Sequence, residues 1–478
     1  MFNATVSDIS FINCVYQKYH RDSMEIEMQG KAMRKTIVAS RISDMQKRRC
    51  GRSCVYCNIS RNLTREQGFR NSRRRYLNSK GNKGPMSSSK KPTGDEDDIM
   101  SVTSDIPGFF KGRCVFVTGG TGFMGKVLVE KLLRSCPDIA TVYLLMRPKK
   151  GNDINIRHEE LIRSEIFDGL RNERPGFASQ LVAIRGDVTL DNLGLTLEDR
   201  SLIEKKVSVV FHCAANVRFD QKLKNAVKYN TLGTSRVLEL AEGIDNLDAF
   251  VHVSTAYCHC EQPVLEEVTY PSHTDPHNIL QLVEWMDDDV LDSITPKLVG
   301  KLPNTYAYSK NLTEQLVSSY SAKFPTAIAR PSIVTGPWRE PIPGWVENLN
   351  GPTGLLVGAG KGVIRSMHCH PEFSADIMPC DIAINAIIIL AWRVANLRPR
   401  QPLVCNVTES GDNSLSWAFV LDTGKKYLYE NPLSDAIWFP DGSIKTSWLI
   451  HTLCVIFFHF LPAYLIDLLV TLCGKKPL

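Results

Sequence analysis

The chain's most basic stretch has almost no acidic charge. Between Lys47 and Lys91 stand 14 Lys/Arg against a single carboxylate, Glu66. The formal net charge of +6 belongs to that segment, and the remainder of the 478 residues is slightly acidic. A uniformly basic nucleic-acid surface is thereby excluded, and no nucleic acid is expected as a partner. The start lacks an apolar run followed by a small-residue cleavage site, so no secretory signal is expected. Asp8, Asp22, Glu25 and Glu27 argue against a mitochondrial presequence. The 14 cysteines lack the spacing of a disulfide framework. Several, such as Cys136, Cys213 and Cys454, fall in apolar segments, which suits a reducing compartment. Cys50, Cys54 and Cys57 lie close together without a fourth ligand at zinc-finger spacing, and no metal is expected. The end, Lys476-Pro477-Leu478, is not a peroxisomal tripeptide.

Sustained periodicity is also missing from residues 1–106. A short helix is expected at 24–46; the rest is rich in Arg, Lys, Ser, Asn and Gly and closes on the acidic patch Asp95–Asp98. This composition reads as a disordered, solvated tail, with contact to an anionic membrane surface, and behind it nucleic-acid binding, as the functional alternatives.

Regular structure begins near residue 107. The run VFVTGGTGFMGKVLVEKLLRSCPDIATVYLLM (115–146) gives a strand at Val115–Val117, Gly119, Gly122 and Gly125 at intervals of three, an amphipathic helix, and a second strand at Val142–Met146. That is one βαβ unit whose turn carries the spacing of a dinucleotide site. One glycine permits the sharp turn, another the approach of a pyrophosphate, and the third close packing of helix on sheet. Further apolar runs at 181–184, 207–213, 250–253 and 327–329, with helices at 223–242 and 308–323 between them, predict an α/β fold. It is a Rossmann-type, doubly wound parallel sheet with its ligand at the carboxyl ends of the strands. Residues 331 to about 410, rich in Pro and Gly, read as a loop-rich segment, and 331–400 is expected to form a smaller substrate lobe within a reductase domain of 107–410, with a helix resuming at Asp381–Val394. A third region, 411–478, contains the apolar stretch 448–473, about 38 Å if helical, long enough to cross a bilayer. His451, His459, Pro462 and Asp467 interrupt it, so a spanning helix, a Pro-broken hairpin and a buried soluble hairpin all remain open.

Where a dinucleotide site selective for NAD(H) places an acid after its second strand, this chain has Arg147-Pro148-Lys149-Lys150, which favours a 2′-phosphate and hence NADPH. Asp187 follows the third strand, where a carboxylate can accept from an adenine amino group. The small residues Ala214 and Ala215 follow the fourth strand, where backbone must lie close to a flat cofactor. Asn230 is either a polar helix residue or a structural link near the site. Tyr306 and Lys310 stand one helical turn apart. A nearby ammonium is expected to lower the phenol's pKa and let Tyr306 protonate an oxyanion. Ser254 and Thr255 end the fifth strand, where a hydroxyl can bind the same oxygen.

The motifs TGGTGFMGKVLVEKLLRSCPDI, LLMRPKKG, GDVTLDNLGL, HCAANVRFD, HVSTAYCH, NTYAYSKNLTE and RPSIVTGPWREPIPGW resemble those of the extended short-chain dehydrogenase/reductases, and within them the alcohol-forming fatty acyl-CoA reductases. The resemblance covers roughly 107–474. It implies Thr255, Tyr306 and Lys310 as catalytic residues. The implied cofactor-binding set is Thr118, Gly119, Gly122, Phe123, Met124, Gly125, Arg147, Asp187, Val188, Ala214, Ala215 and Pro331, with Tyr306 and Lys310 again. It further implies a long-chain fatty acyl-CoA substrate, membrane lipid as a partner, and a catalytic domain facing the cytosol on a peroxisomal or endoplasmic reticulum membrane. A homo-oligomer is compatible with it. The long basic tail departs from the family's common core, and the chain stops where more C-terminal domain is expected. A reductase that stops at the aldehyde, one acting on another lipid carbonyl, and a catalytically silent membrane scaffold are the competing readings.

Overall fold

The computed structural model describes residues 105–474 apart from 150, 152, 273, 410, 412 and 435. The basic segment, its expected helix at 24–46 and the lysines at 475 and 476 lie outside the described residues. Seven runs rich in branched and aromatic residues form strands: β1 Cys114–Thr118, β2 Thr141–Met146, β3 Leu181–Arg185, β4 Val207–His212, β5 Ala249–Val253, β6 Thr326–Pro331 and β7 Leu403–Val407. All neighbours pair in parallel, in the order β7-β6-β5-β4-β1-β2-β3. Order reverses between β1 and β4, which is where a doubly wound sheet opens its ligand crevice.

Alternate residues of these strands enter two cores. Val115, Val117, Phe211, Val251 and Ala329 face one side, and Phe116, Val210, Phe250 and Ile328 the other. Both faces are covered, so the strands read as nearly continuous apolar runs. The first core is closed by α1 (Phe123–Ser135), through Leu128 and Leu132. The second is closed by α2, residues 223–242, through Val237 and Leu238, and by α3 (Thr305–Ser319), through Leu316 and Val317. α4 (Cys380–Leu397) returns to the first face and packs Ile384 and Ile387 beside α1. Each fully buried side chain of this size contributes roughly 1.5–3 kcal/mol.

Three details differ from the sequence expectation. The Tyr306 helix starts at Thr305 rather than 308, because the Asn304 side chain accepts from Ala307 N–H (2.8 Å) and caps it. β7 arises from the segment expected to be loop-rich, since Leu403–Val407 adds in register to β6. Two helices, Pro276–Trp285 and Asp288–Val299, bury Ile279, Val283 and Leu291 against Tyr308 and Leu312 of α3. Within 331–400, Ile333–Thr335 pairs with Ile377–Pro379, and Ser366–His368 pairs with Ser443–Lys445.

Among the described residues, two helices are long and apolar enough to cross a membrane, α4 and α5 (Trp448–Leu472). α4 is a core helix, 56% buried, whereas α5 is 0% buried. α5 keeps its continuity past Pro462 through a π-helical segment at Ile456–Phe460.

Candidate active site

The glycine turn lies between β1 and α1. Gly119 has φ +75°, and a Cβ there would stand 2.7 Å from the Ala214 nitrogen, so this position needs glycine twice over. A Cβ on Gly125 would lie 2.1 Å from the Gly119 carbonyl oxygen. Helix and turn are therefore in direct backbone contact: Gly122 N–H closes the turn on Gly119 O at 3.0 Å, and α1 opens at the crevice with Phe123 and Met124. The Phe123 ring stacks on Trp345 at 5.5 Å. Behind the turn, Thr118 Oγ1 lies 2.7 Å from His212 Nδ1, and His212 Nε2 lies 2.8 Å from Thr234 Oγ1. Thr234 donates its own proton to Asn230 O (2.6 Å), so His212 carries its proton on Nε2 and accepts from Thr118. Burial, then the charge of Lys310, lowers His212 to about 3 and keeps it neutral.

Asn230 is the structural link, not a surface polar residue. It sits in a π-helical segment, Val227–Leu232. Its Oδ1 accepts from Asn216 N–H (2.8 Å), while Nδ2 donates to Asn216 O (3.1 Å) and Ser309 Oγ (2.9 Å). It thereby fastens the backbone following Ala214 and Ala215 to α3.

At the far end of the crevice, Arg147 is half exposed after β2, 3.4 Å from Asp187 Oδ2. Asp187 Oδ1 accepts from Thr189 N–H and O–H, both 2.9 Å. Val188 packs on Gly233, whose added Cβ would touch it at 3.2 Å. Arg157, which sequence reasoning missed, donates to Arg147 O and reaches Thr121 Oγ1 of the glycine turn at 3.3 Å. Thr121, Lys126, Lys149 and Arg157 line one cleft there with Glu160 and Glu347. The ten-residue separation of Arg157 from Arg147 hid this convergence.

The carboxyl ends of β5 and β6 meet the first turn of α3. Ser254, Thr255 and Lys310 are buried. The Tyr306 phenol lies beside the Thr255 side chain, whose influence favours the ionised phenol. Lys310 Nζ donates to Val253 O at 2.7 Å. Pro331 ends β6, and its carbonyl accepts from Ala256 N–H at 3.0 Å, which fixes the chain after Thr255. Tyr308 is excluded as the acid, because its ring packs among Leu223, Val227 and Ile279. The phenol's shift runs opposite to the sequence expectation. Burial, with Cys258 nearby, raises the Tyr306 pKa against the opposing influence of Thr255. Its proton therefore stays on at neutral pH, as a proton donor requires. Burial lowers the Lys310 ammonium to about 8.

A buried ion pair that no motif announced braces this helix. Arg330 (0% exposed) on β6 donates to Glu314 (1%) through Nε at 2.9 Å and Nη2 at 2.6 Å. Its guanidinium also reaches the carbonyls of Glu266 and Val268 at 3.0 and 2.9 Å. Glu314 further receives His259 Nε2 at 3.1 Å and the Cys258 thiol at 3.2 Å. Burial alone would raise this carboxyl, yet hydrogen bonds and charge from His259 and Arg330 hold it at about 2. With its donors already engaged in this way, the Cys258, His259 and Glu314 group is a structural brace.

A Rossmann-type sheet with a glycine-turn cradle, and a Tyr-x-x-x-Lys helix against a hydroxyl-bearing strand end, defines an NAD(P)-dependent oxidoreductase of the short-chain dehydrogenase/reductase kind. A family profile described as male sterility protein, an NAD-binding domain, matches residues 117–387. Fatty acyl-CoA reductase 1 of Mus musculus is 41% identical over 376 residues, covering 78% of this chain and 72% of that protein. Fatty acyl-CoA reductase 2 of Bos taurus is 38% identical over 378 residues, covering 78% and 73%. A solved structure, the terminal R domain from the myxalamid biosynthetic pathway, aligns with TM-score 0.49 and 23% identity over 70% of this chain and 72% of that one. The chain belongs to the fatty acyl-CoA reductases.

Proposed function

We propose that the chain reduces a long-chain fatty acyl-CoA to the primary alcohol and free CoA, using two equivalents of NADPH in turn at one site. The observation that carries this reading is the meeting of Tyr306 with Thr255 at the end of β5, one turn from Lys310, in a member of this reductase family. The glycine cradle fits a dinucleotide, since the space a Cβ would fill at Gly119 and Gly125 is taken by backbone. Gly119, Gly122, Phe123, Met124 and Gly125 would hold the pyrophosphate, with Thr118, Ala214, Ala215 and Pro331 walling the crevice and Asp187 and Val188 at the adenine end. When bound, the dinucleotide supplies hydride.

Thr255 and Tyr306 receive the thioester oxygen. As negative charge grows there, Thr255 donates a hydrogen bond and Tyr306 gives up its proton, so the carbonyl becomes a hydroxyl. Lys310, held at about 8 by burial, stabilises the phenolate left behind and helps return a proton to it from water. The resulting thiohemiacetal loses CoA as the thiol and leaves the aldehyde against the same two hydroxyls. A second round, again one hydride and one proton, yields the alcohol. Arg157 and Lys149 line the cleft beside Thr121, and Arg157 is tied to the Arg147 carbonyl while the Arg147 guanidinium stands by Asp187; this concentration of cations supports NADPH, whose 2′-phosphate would lie there. Segment 331–400 is the proposed wall for the acyl chain. The exposed apolar helix α5 supports association with membrane lipid, with the reductase domain on the cytosolic face of an endoplasmic reticulum or peroxisomal membrane. Purified protein incubated with NADPH and palmitoyl- to lignoceroyl-CoA tests the reading. Fatty alcohol is expected, and an end product of aldehyde, or no NADPH oxidation with any chain length, would sink it.

A further inference from the structure

α5 is apolar round most of its circumference, with Leu449, Phe457, Phe460, Leu465, Leu468 and Leu472 all exposed. A helix of that kind is stable in a protein core or in lipid, and none of its residues is buried in the protein. Two of its histidines nevertheless bind the folded domain. His451 Nδ1 lies 2.9 Å from Ser366 Oγ, and the His451 ring stacks on His368 at 5.6 Å. His459 Nε2 accepts from Arg365 N–H at 2.9 Å. His459 is eleven residues beyond Trp448, roughly 16 Å along the axis, which is the midpoint of a bilayer core about 30 Å thick. A transverse helix keeping this bond would carry Arg365 and its neighbour Asp441, 3.8 Å away and itself 3.3 Å from Lys425, to the middle of the hydrocarbon, where charges are not tolerated.

The same Arg365 also holds a second apolar feature. Its guanidinium donates to Phe439 O at 2.8 Å, and Ile437 and Trp438 N–H donate to Lys361 O at 3.0 and 3.3 Å. The side chains of Ile437, Trp438 and Phe439 are thereby turned outward, 51%, 67% and 66% exposed. In the sequence, Lys445 precedes α5 and Lys475 and Lys476 follow it. A helix lying flat keeps Lys445 and the polar groups that bind His451 and His459 at the headgroups of one leaflet, which a crossing helix cannot do.

We infer that α5 and the Ile437-Trp438-Phe439 loop form one lipid-binding surface. The helix lies in the headgroup–acyl boundary of a single leaflet, without crossing it, and the loop's aromatic residues sit at headgroup depth. This rests on the membrane association proposed above and adds its geometry. An acyl chain resting in that leaflet would then reach the enzyme from the side on which the reductase domain sits.

The test uses the full chain with an epitope after Leu478, bound to sealed vesicles of phosphatidylcholine and phosphatidylserine. The protein should float with the vesicles, and added protease should remove the epitope without detergent. The exposed pair Trp438→Ser/Phe439→Ser should lower vesicle partition by roughly tenfold or more, with NADPH binding kept. Flotation with an epitope protected until detergent is added would show a crossing helix and overturn this inference alone. No flotation, or a vesicle-free dimer that buries the helix against a second copy, would overturn both it and the membrane reading.

Discussion

Replacing Glu314 by Gln should destabilise the reductase domain far more than a surface substitution. The carboxylate is buried against Arg330, with His259 and Cys258 also on it. Its pKa lies at about 2 instead of the ordinary 4.5. At 1.36 kcal/mol per unit, that depression amounts to about 3 kcal/mol of folding stability at neutral pH. Because the folded value is lowered, this contribution is complete above about 4.5 and is lost as pH falls towards about 2. Glutamine keeps the shape but leaves the Arg330 charge unpaired in the interior, a loss that typically costs about 3–5 kcal/mol. Equilibrium urea unfolding followed by tryptophan fluorescence should show it, with a midpoint on heating lower by several degrees. The variant should also lose the wild type's steep stability decline between about 4.5 and about 2. Glu314→Leu combined with Arg330→Met should recover part of the loss, since no unpaired guanidinium remains, while His259 and the carbonyls of Glu266 and Val268 still lose their partners. A Glu314→Gln protein that unfolds within a degree of wild type, with the same acid profile, would refute the argument.

Three further outcomes follow from the site. Tyr306→Phe should lower kcat by about 10²-fold or more while NADPH affinity, by fluorescence titration, stays within about twofold. Arg157→Gln should raise the NADPH dissociation constant by roughly tenfold and leave NADH binding almost unchanged, whereas an equal loss for both would remove Arg157 from the 2′-phosphate end. Lys310 at about 8 in the free protein predicts that kcat/KM for NADPH declines as pH rises through that value, because the ammonium is lost above it. Lys310→Arg should abolish that alkaline limb.

The sheet was legible because buried parallel strands announce themselves as short apolar runs, and six of the seven strands lie where such runs stand. β7 was not, since LVCNV emerges from a Pro- and Gly-rich segment and is defined only by its pairing with β6. The glycine turn, Arg147 and the Tyr306–Lys310 pair could be proposed from local spacing, because a turn or one helical step relates them, whereas Thr255 was singled out from Ser254 only by the family resemblance. Arg157, His212 and the Glu314–Arg330 pair could not, because their partners lie on other elements and no spacing rule connects them. Asn230 was ambiguous for the same reason: only the π-helical segment at Val227–Leu232 turns it towards both Asn216 and Ser309. In α5, the histidines that interrupt the apolar run are the points at which it binds the domain. Composition gave its hydrophobicity but not its direction.

The central claim is that one site delivers hydride twice to the same carbon of a fatty acyl thioester, and isotope transfer tests it most directly. With NADPH carrying deuterium at the transferable position, mass spectrometry of the product should show a fatty alcohol with two deuterium atoms on C1 and two NADP⁺ formed for each CoA released. An aldehyde with a single deuterium as the end product, or CoA release without NADPH oxidation, would contradict the account.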